Sequence, residues 1–458
     1  MLWYDFRRMA APLTHETQAV RVVPLSQRIF GPPPARNLDD AYRLCDPFTP
    51  LDPNADTALR ADLNAIRGGD RLARIARNIR RSGSTPTLHF LTGHLGGGKT
   101  TELLRMREQL IHPQGNTPAN TVFFLDADEM LDRYDVDLED IVVALWNVVF
   151  RESPKAAAKV LAPVWQKQIK GALAGFVVNL PDKVPDAVGA LLGQLKLPGL
   201  EQRQKIRVAV GSLLGALING LNGVLHEIAE DSAGSVVFLI DNLEKLSVGQ
   251  RAGVERLYLE RMGALKTLEA HLVITVPLYL CYDSGGSSLT SRYGGESLVL
   301  PMVKVHRRAI HGGGDDPTGL AAMADLLEKR VDFGALFEGG RSAAEQIARL
   351  SGGCVRHALR MAQLAIGEHD APPVTDASVE RAASILQSEF DRALPEPWIP
   401  ILRHIAKVNR FPDQIEEAVK ADLLLHLYVL EYQNGEPEPW HGVHPLVERC
   451  RKYREHAT

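Results

Sequence analysis

Residues 87–104 read TLHFLTGHLGGGKTTELL, and three properties of this stretch decide the fold. Residues 87–92 are a short apolar, β-prone run, the turn that follows is rich in glycine, and residues 100–110 favour helix. Strand, glycine turn and helix follow in that order. Glycine has no Cβ, so the backbone N–H groups of such a turn can converge on phosphate oxygens while the next helix points its positive end at them. The spacing Gly93-His94-Leu95-Gly96-Gly97-Gly98-Lys99-Thr100 is G-x-x-x-x-G-K-[ST]. In that pattern the Lys99 ammonium reaches the β and γ phosphates, the Thr100 hydroxyl completes a Mg²⁺ shell, and Thr101 closes the set. ATP and Mg²⁺ are the expected ligands.

Working outward, residues 121–125, 235–240 and 271–276 are further apolar runs separated by helical spacing, which predicts a parallel sheet covered on both faces. Asp241 closes the second of these runs, where a carboxylate holds magnesium beside the glycine turn. Asn242 follows, and an amide cannot take a proton from water. Glu244, two residues on, is the carboxylate expected to activate water. Thr275 is a polar residue among VITVP, read either as a hydrogen-bonding partner of water and γ-phosphate or as an ordinary strand residue. Arg292 is read as an arginine presented to a neighbouring subunit's site or as a surface residue. Arg356 opens a helix after Gly352-Gly353 and is expected to bring a cation to the γ-phosphate from a lid. Asp126 and Asp128 read as loop acids, solvated or near the metal.

The rest of the chain supports this and excludes alternatives. With 458 residues, two to three domains are expected. Lys and Arg number 52 against 56 Asp and Glu, a formal charge of −4, so any nucleic-acid contact has to come from a local patch. Residues 63–81 suggest one amphipathic helix whose arginines 67, 71, 74, 77, 80 and 81 form a basic face, solvated or set against phosphates. Cys45, Cys281, Cys354 and Cys450 lie far apart without a C-x-x-C pair, which argues against a zinc ribbon or disulfide framework and suits a cytoplasmic protein. Residues 208–225 are uncharged but diluted by glycine and asparagine, so they read as a buried helix and no membrane role is expected. No H-E-x-x-H or G-x-S-x-G motif competes with nucleotide chemistry.

The boundaries expected are an N-terminal arm over residues 1–60 that covers part of the folded body, and an ATPase core over 61–305 with an insertion near 150–232. A helical lid over 306–372 and a winged-helix-like module over 373–458 follow, the latter from two β-prone runs around Asn434-Gly435. The fold class is therefore α/β: a P-loop NTPase of the ASCE kind with a parallel sheet, helical insertion, lid and wing.

GHLGGGKTT (93–101), VVFLIDNLEKL (236–246), VITVP (273–277) and GGCVRHALRM (352–361) resemble the Walker A, Walker B, sensor-1 and sensor-2 motifs of the AAA+/STAND superfamily of P-loop ATPases. The branch they are similar to is the one related to origin-recognition and initiator ATPases. The ending VLEYQNGEPEPWHGVHPLV (429–447) is similar to that of bacterial ATPases associated with signalling or phage defence. The resemblance implies ATP hydrolysis and a closed form that opens and assembles, as a homo-oligomer or with an effector protein. DNA is the alternative partner, and a non-hydrolysing scaffold the alternative to an enzyme. The sequence departs from the pattern at Asn242, where the family usually carries glutamate, and in the swollen interval between Lys99 and Asp241.

Overall fold

Five apolar runs pair side by side into one parallel sheet, and every other element is placed by what it covers. The computed structural model describes residues 24–164, 188, 191, 193, 195, 200–245, 251–282, 286–294, 296–433 and 439–455. In chain order the main elements begin with α1 (Leu38–Leu44), α2 (Arg71–Ser82), β1 (Leu88–Gly93), α3 (Lys99–Ile111) and β2 (Thr121–Asp126). Next come α4 (Leu138–Glu152) and, across the expected insertion, α5 (Pro154–Val164), α6 (Leu200–Ser212) and α7 (Leu214–Ser232). The core resumes with β3 (Val236–Asp241), β4 (His271–Thr275), α8 (Gly286–Tyr293) and β5 (Glu296–Leu300). Then come α9 (Pro317–Glu328), α10 (Arg341–Leu350), α11 (Val355–Ile366), α12 (Asp376–Ala393), α13 (Ile399–Val408), α14 (Glu417–Leu425), β6 (Val429–Tyr432) and β7 (Trp440–Val443).

The sheet order is β2-β3-β4-β1-β5, all parallel. Side chains alternate between its faces. Leu91, Val237, Leu239, Val273 and Leu298 pack with Leu72, Ile75 and Ile79 of α2 and Leu103 and Met106 of α3. Phe90, Phe123, Phe238, Ile240 and Ile274 pack with α4 and the insertion helices on the other face. A register of Asp126 opposite Asp241 brings two carboxylates to the same end of the sheet. That carboxyl end is where open α/β sheets bind ligands.

The single helix expected over 63–81 is corrected. Gly68 (φ +83) and Gly69 (φ +115) break the chain, and the Asp70 side chain then caps α2 by accepting from the Ala73 N–H at 2.9 Å. Arg67 falls outside the helix and is buried. The one helix expected over 208–225 is instead two, α6 and α7, bent by 66°, and no single helix among the described residues is long and apolar enough to cross a membrane. The periodic helix around Tyr258 is irregular too, widening to π turns at Arg256–Arg261 and tightening to 3-10 geometry at Met262–Thr267.

The insertion is anchored by charge as well as by apolar packing. Arg203 of α6 binds Asp132 (2.9 Å) and Asp135 (3.1 Å), while Arg207 binds Asp135 (2.7 Å) and Asp140. Asp132 and Asp135 of the loop and Asp140 in the first turn of α4 are therefore spent on ion pairs.

The N-terminal segment from Leu25 packs with the helices after the sheet. Leu25, Ala35, Ala41 and Leu44 share a core with Leu320, Met323, Ile347 and Met361 of α9–α11. The two β-prone runs near the end do pair, as antiparallel β6 and β7, while Asn434 and Gly435 lie outside the described residues.

Candidate functional site

The glycine turn joins β1 to α3 at the carboxyl end of the sheet. Two of its glycines are required by contact. A Cβ on Gly93 (φ +149) would sit 2.5 Å from the Leu300 carbonyl oxygen, and one on Gly96 (φ +78) would sit 2.6 Å from the Cβ of Arg356. The lid helix α11 thus docks directly on the turn, and the Arg356 N–H donates to the Gly96 carbonyl at 3.2 Å.

The Lys99 ammonium donates to the carbonyls of Gly93 (2.9 Å) and His94 (3.1 Å), and pairs with Glu244 at 3.0 Å. Lys99 and Glu244 are both nearly fully buried. Burial pushes the Glu244 carboxyl up, but the Lys99 charge and the Thr275 hydroxyl outweigh it, and the net direction is down. Asp241 is fully buried, and its oxygens make no hydrogen bond of good geometry among the described residues, although the Thr100 hydroxyl and the Asn242 N–H lie beside it. Burial first, then the Glu244 charge, push it up to about 7; the nearby Thr100 hydroxyl and Lys99 act the other way. A fully buried carboxylate without a well-formed hydrogen bond, beside a hydroxyl at a helix N-terminus, fits Mg²⁺, which takes one or two protein oxygens and completes its shell with water and phosphate. No group of three or more His, Cys, Asp or Glu side chains gathers among the described residues, so no all-protein metal cage competes with this site.

Thr275 does not face the cavity. Its hydroxyl oxygen accepts from the Leu243 N–H (3.1 Å) and lies near the Glu244 carboxyl, which it helps hold down, so it positions the turn that carries Glu244 rather than touching phosphate. Asn242 sits at φ +61, and its amide donates to Asp126 at 2.9 Å. The His94 ring turns away from the cradle into the C-terminal elements, leaving only its backbone in the loop. Arg292 is exposed and donates to the Leu259 carbonyl; it does not line the cavity.

A cavity of about 310 Å³ is lined by Leu95, Gly96, Gly98, Lys99, Thr100, Thr101, Asp126, Asp128 and Glu244 on one side and by Val355, Arg356 and Leu359 on the other; Asp241 lies behind this wall and does not line it. Residues 47–51 of the arm form one wall, with the Phe48 ring 5.5 Å from the Arg356 guanidinium. A larger cavity, about 550 Å³, opens between Thr87 and Leu272 at the opposite end of the sheet, away from the glycine turn and Asp241.

Two further cations escaped the sequence reading. Buried Arg67 donates to the Gly97 carbonyl at 2.6 Å and braces the turn from below; burial lowers its pKa to about 10. Arg330, after α9, is buried on the cavity wall with Nε and Nη1 unpartnered, and burial lowers it too. The Gly68-Gly69 break was the one signal that Arg67 leaves the helix. Arg330 had none, because its place depends on how the lid folds over the core.

The strand order, the glycine turn between β1 and α3, and the acid at the end of β3 define a P-loop NTPase. No protein-family model and no curated protein matches the chain. Among solved structures it is similar to the Walker-type ATPase PABY2304 of Pyrococcus abyssi, at 15% identity over 90% of this chain and 99% of that one, with a TM-score of 0.45. It is also similar to ORC2 of Aeropyrum pernix, solved as ADPNP and ADP complexes (12%, 90% and 96%, TM-score 0.41). A third similar structure is Cdc6p of Pyrobaculum aerophilum (12%, 87% and 97%, TM-score 0.37). The class assignment rests on the geometry of this chain alone.

Proposed function

We propose that this chain is a molecular switch that binds Mg-ATP and hydrolyses it slowly to ADP and phosphate. The observation that carries the reading is the fully buried Asp241 carboxylate, which makes no hydrogen bond of good geometry and lies beside Lys99 and Thr100 of the glycine turn. In this reading Lys99 exchanges the Gly93 and His94 carbonyls and Glu244 for β and γ phosphate oxygens. Thr100 and Asp241 hold the metal, which when bound offsets charge on the phosphoryl oxygens. Glu244, released from Lys99 but still held by Thr275, takes the proton of the attacking water.

Turnover is slow because Glu244 must first leave a buried ion pair and because Asn242 is committed to Asp126. Arg356 extends from the lid to the γ-phosphate, so nucleotide state sets the lid angle. Arg292, exposed near the end of α8, is offered to a neighbouring subunit. In this reading the chain divides into an arm over 1–60, an ATPase core over 61–305, a lid over 306–372 and a winged-helix-like module over 373–458, the arm being supported by its shared core with α9–α11. The partners are further copies of the chain or a separate effector, in a bacterial signalling or defence setting. Four free cysteines, three of them buried, suit a reducing cytoplasm.

DNA binding has less support, since Arg80 donates to the carbonyls of Gln109 and His112 and Arg71 to Gln433, turning part of the basic stripe onto the protein. Retention of duplex DNA on a filter at low salt would revive it. The switch itself is tested by light scattering of wild type and Lys99→Ala with Mg-ATP. Assembly in wild type alone is expected, and identical sizes would sink it.

A further inference from the structure

His94 is an unusual occupant of a phosphate-binding turn because its ring is fully engaged elsewhere. Nδ1 is 3.2 Å from the Leu424 carbonyl at the end of α14, and Nε2 accepts the Glu431 N–H of β6 at 2.7 Å. The two bonds fix one neutral tautomer, Nδ1-protonated, and burial keeps the ring neutral by lowering its pKa to about 3. The backbone of the same residue is also engaged. Its carbonyl takes the Lys99 ammonium at 3.1 Å and the Gly97 N–H at 3.3 Å, two donors that a triphosphate needs.

One residue therefore competes with phosphate through its carbonyl while its ring is gripped by the C-terminal hairpin. The hairpin is tied to the core at other points: the Met302 N–H donates to the Glu431 carbonyl at 3.0 Å, and the Tyr432 hydroxyl donates to the Gly352 carbonyl at 2.7 Å in the turn before α11.

We propose that His94 is a positioning residue that couples the phosphate-binding turn to the C-terminal hairpin, so that nucleotide binding and the grip of β6 on the turn oppose each other. This rests on the nucleotide reading above and names its route of output. Phosphate draws Lys99 and Gly97 away from the His94 carbonyl, the turn shifts, and the Glu431 N–H loses its acceptor. By linkage, weakening the grip tightens nucleotide binding by the same factor.

The test measures amide hydrogen exchange at Glu431 and its neighbours in β6, with and without Mg²⁺ and a non-hydrolysable ATP analogue, alongside calorimetric affinity. In wild type, exchange at Glu431 accelerates when the analogue binds. In His94→Leu it is fast in both conditions, the analogue binds more tightly by at least about fivefold, and His94→Gln, which can still accept the Glu431 N–H, restores part of the wild-type response. Analogue binding to wild type with no change at Glu431 overturns the coupling alone, as does a His94→Leu protein that keeps the wild-type response. No binding by wild type overturns the nucleotide reading and the coupling with it. The wild-type comparison stands even where His94→Leu does not fold.

Discussion

Replacing Glu244 by Gln separates its two roles. Its carboxylate lies 3.0 Å from the Lys99 ammonium, both nearly buried, and at an effective dielectric near 20 such a pair attracts by about 5–6 kcal/mol. The stability lost is smaller, because Glu244 also repels Asp241, whose carboxyl it helps push up to about 7. Gln keeps the shape and relieves that repulsion, so the loss stays below the ~3–5 kcal/mol typical of breaking a buried pair. Mg-ATP meets a Lys99 no longer held by a carboxylate, and affinity is expected to equal or exceed that of wild type. Turnover falls by about 10²–10⁴, the usual contribution of a general base. Single-turnover phosphate release with saturating Mg-ATP measures the second effect, and calorimetry the first. A variant that keeps more than about a tenth of the wild-type rate falls short of any general-base effect and refutes the role of Glu244. Asp126, on the cavity wall and held by Asn242, would then be the carboxylate to examine.

Other sites give independent expectations. Arg67→Met removes a charge-assisted bond to the Gly97 carbonyl; a loss of about 1.5–3 kcal/mol in unfolding free energy and weaker nucleotide binding are expected, read by denaturant titration and calorimetry. Gly96→Ala places a Cβ 2.6 Å from that of Arg356 at a φ of +78°, and the strain of about 1–2 kcal/mol plus the clash should weaken Mg-ATP by about tenfold or more. Unchanged affinity would mean that the lid does not rest on the turn when nucleotide is bound. Glu431 is buried among the Tyr282 hydroxyl, His94, His441 and Arg71, and burial raises its carboxyl to about 7, with Tyr282 and Arg71 opposing. The folded state therefore binds this proton more tightly than the unfolded chain, whose carboxyl titrates near 4.3. The stabilisation is complete below about 4.3 and disappears as pH rises through about 7. Glu431→Gln should flatten that part of the pH–stability curve, and a curve of unchanged slope would contradict the assignment.

Much of the core was legible because its signals are local. A glycine turn between an apolar run and a helix, and an acid closing a later run, need no knowledge of distant contacts, and β1, α3, β3, Lys99, Thr100 and Asp241 all stand where the pattern puts them. What the sequence left hidden depends on long-range packing. Arg67 meets the turn only because two glycines at positive φ reverse the chain ahead of α2. Thr275 sits on the expected strand but spends its hydroxyl on Leu243 and Glu244, since the turn after Asp241 folds back over β4. The arm at residues 47–51 and Arg330 reach the cavity through long-range packing, and the one donor and one acceptor around the His94 ring come from more than 300 residues away. No periodicity encodes such contacts.

The central claim is most directly tested by calorimetric titration of Mg-ATP into wild type and Lys99→Ala. One nucleotide bound per wild-type chain, and binding weakened by at least about tenfold in the variant, is the predicted result, because Lys99 is the one cation placed within the glycine turn itself. No heat from wild type, or equal affinity in the two proteins, would contradict it.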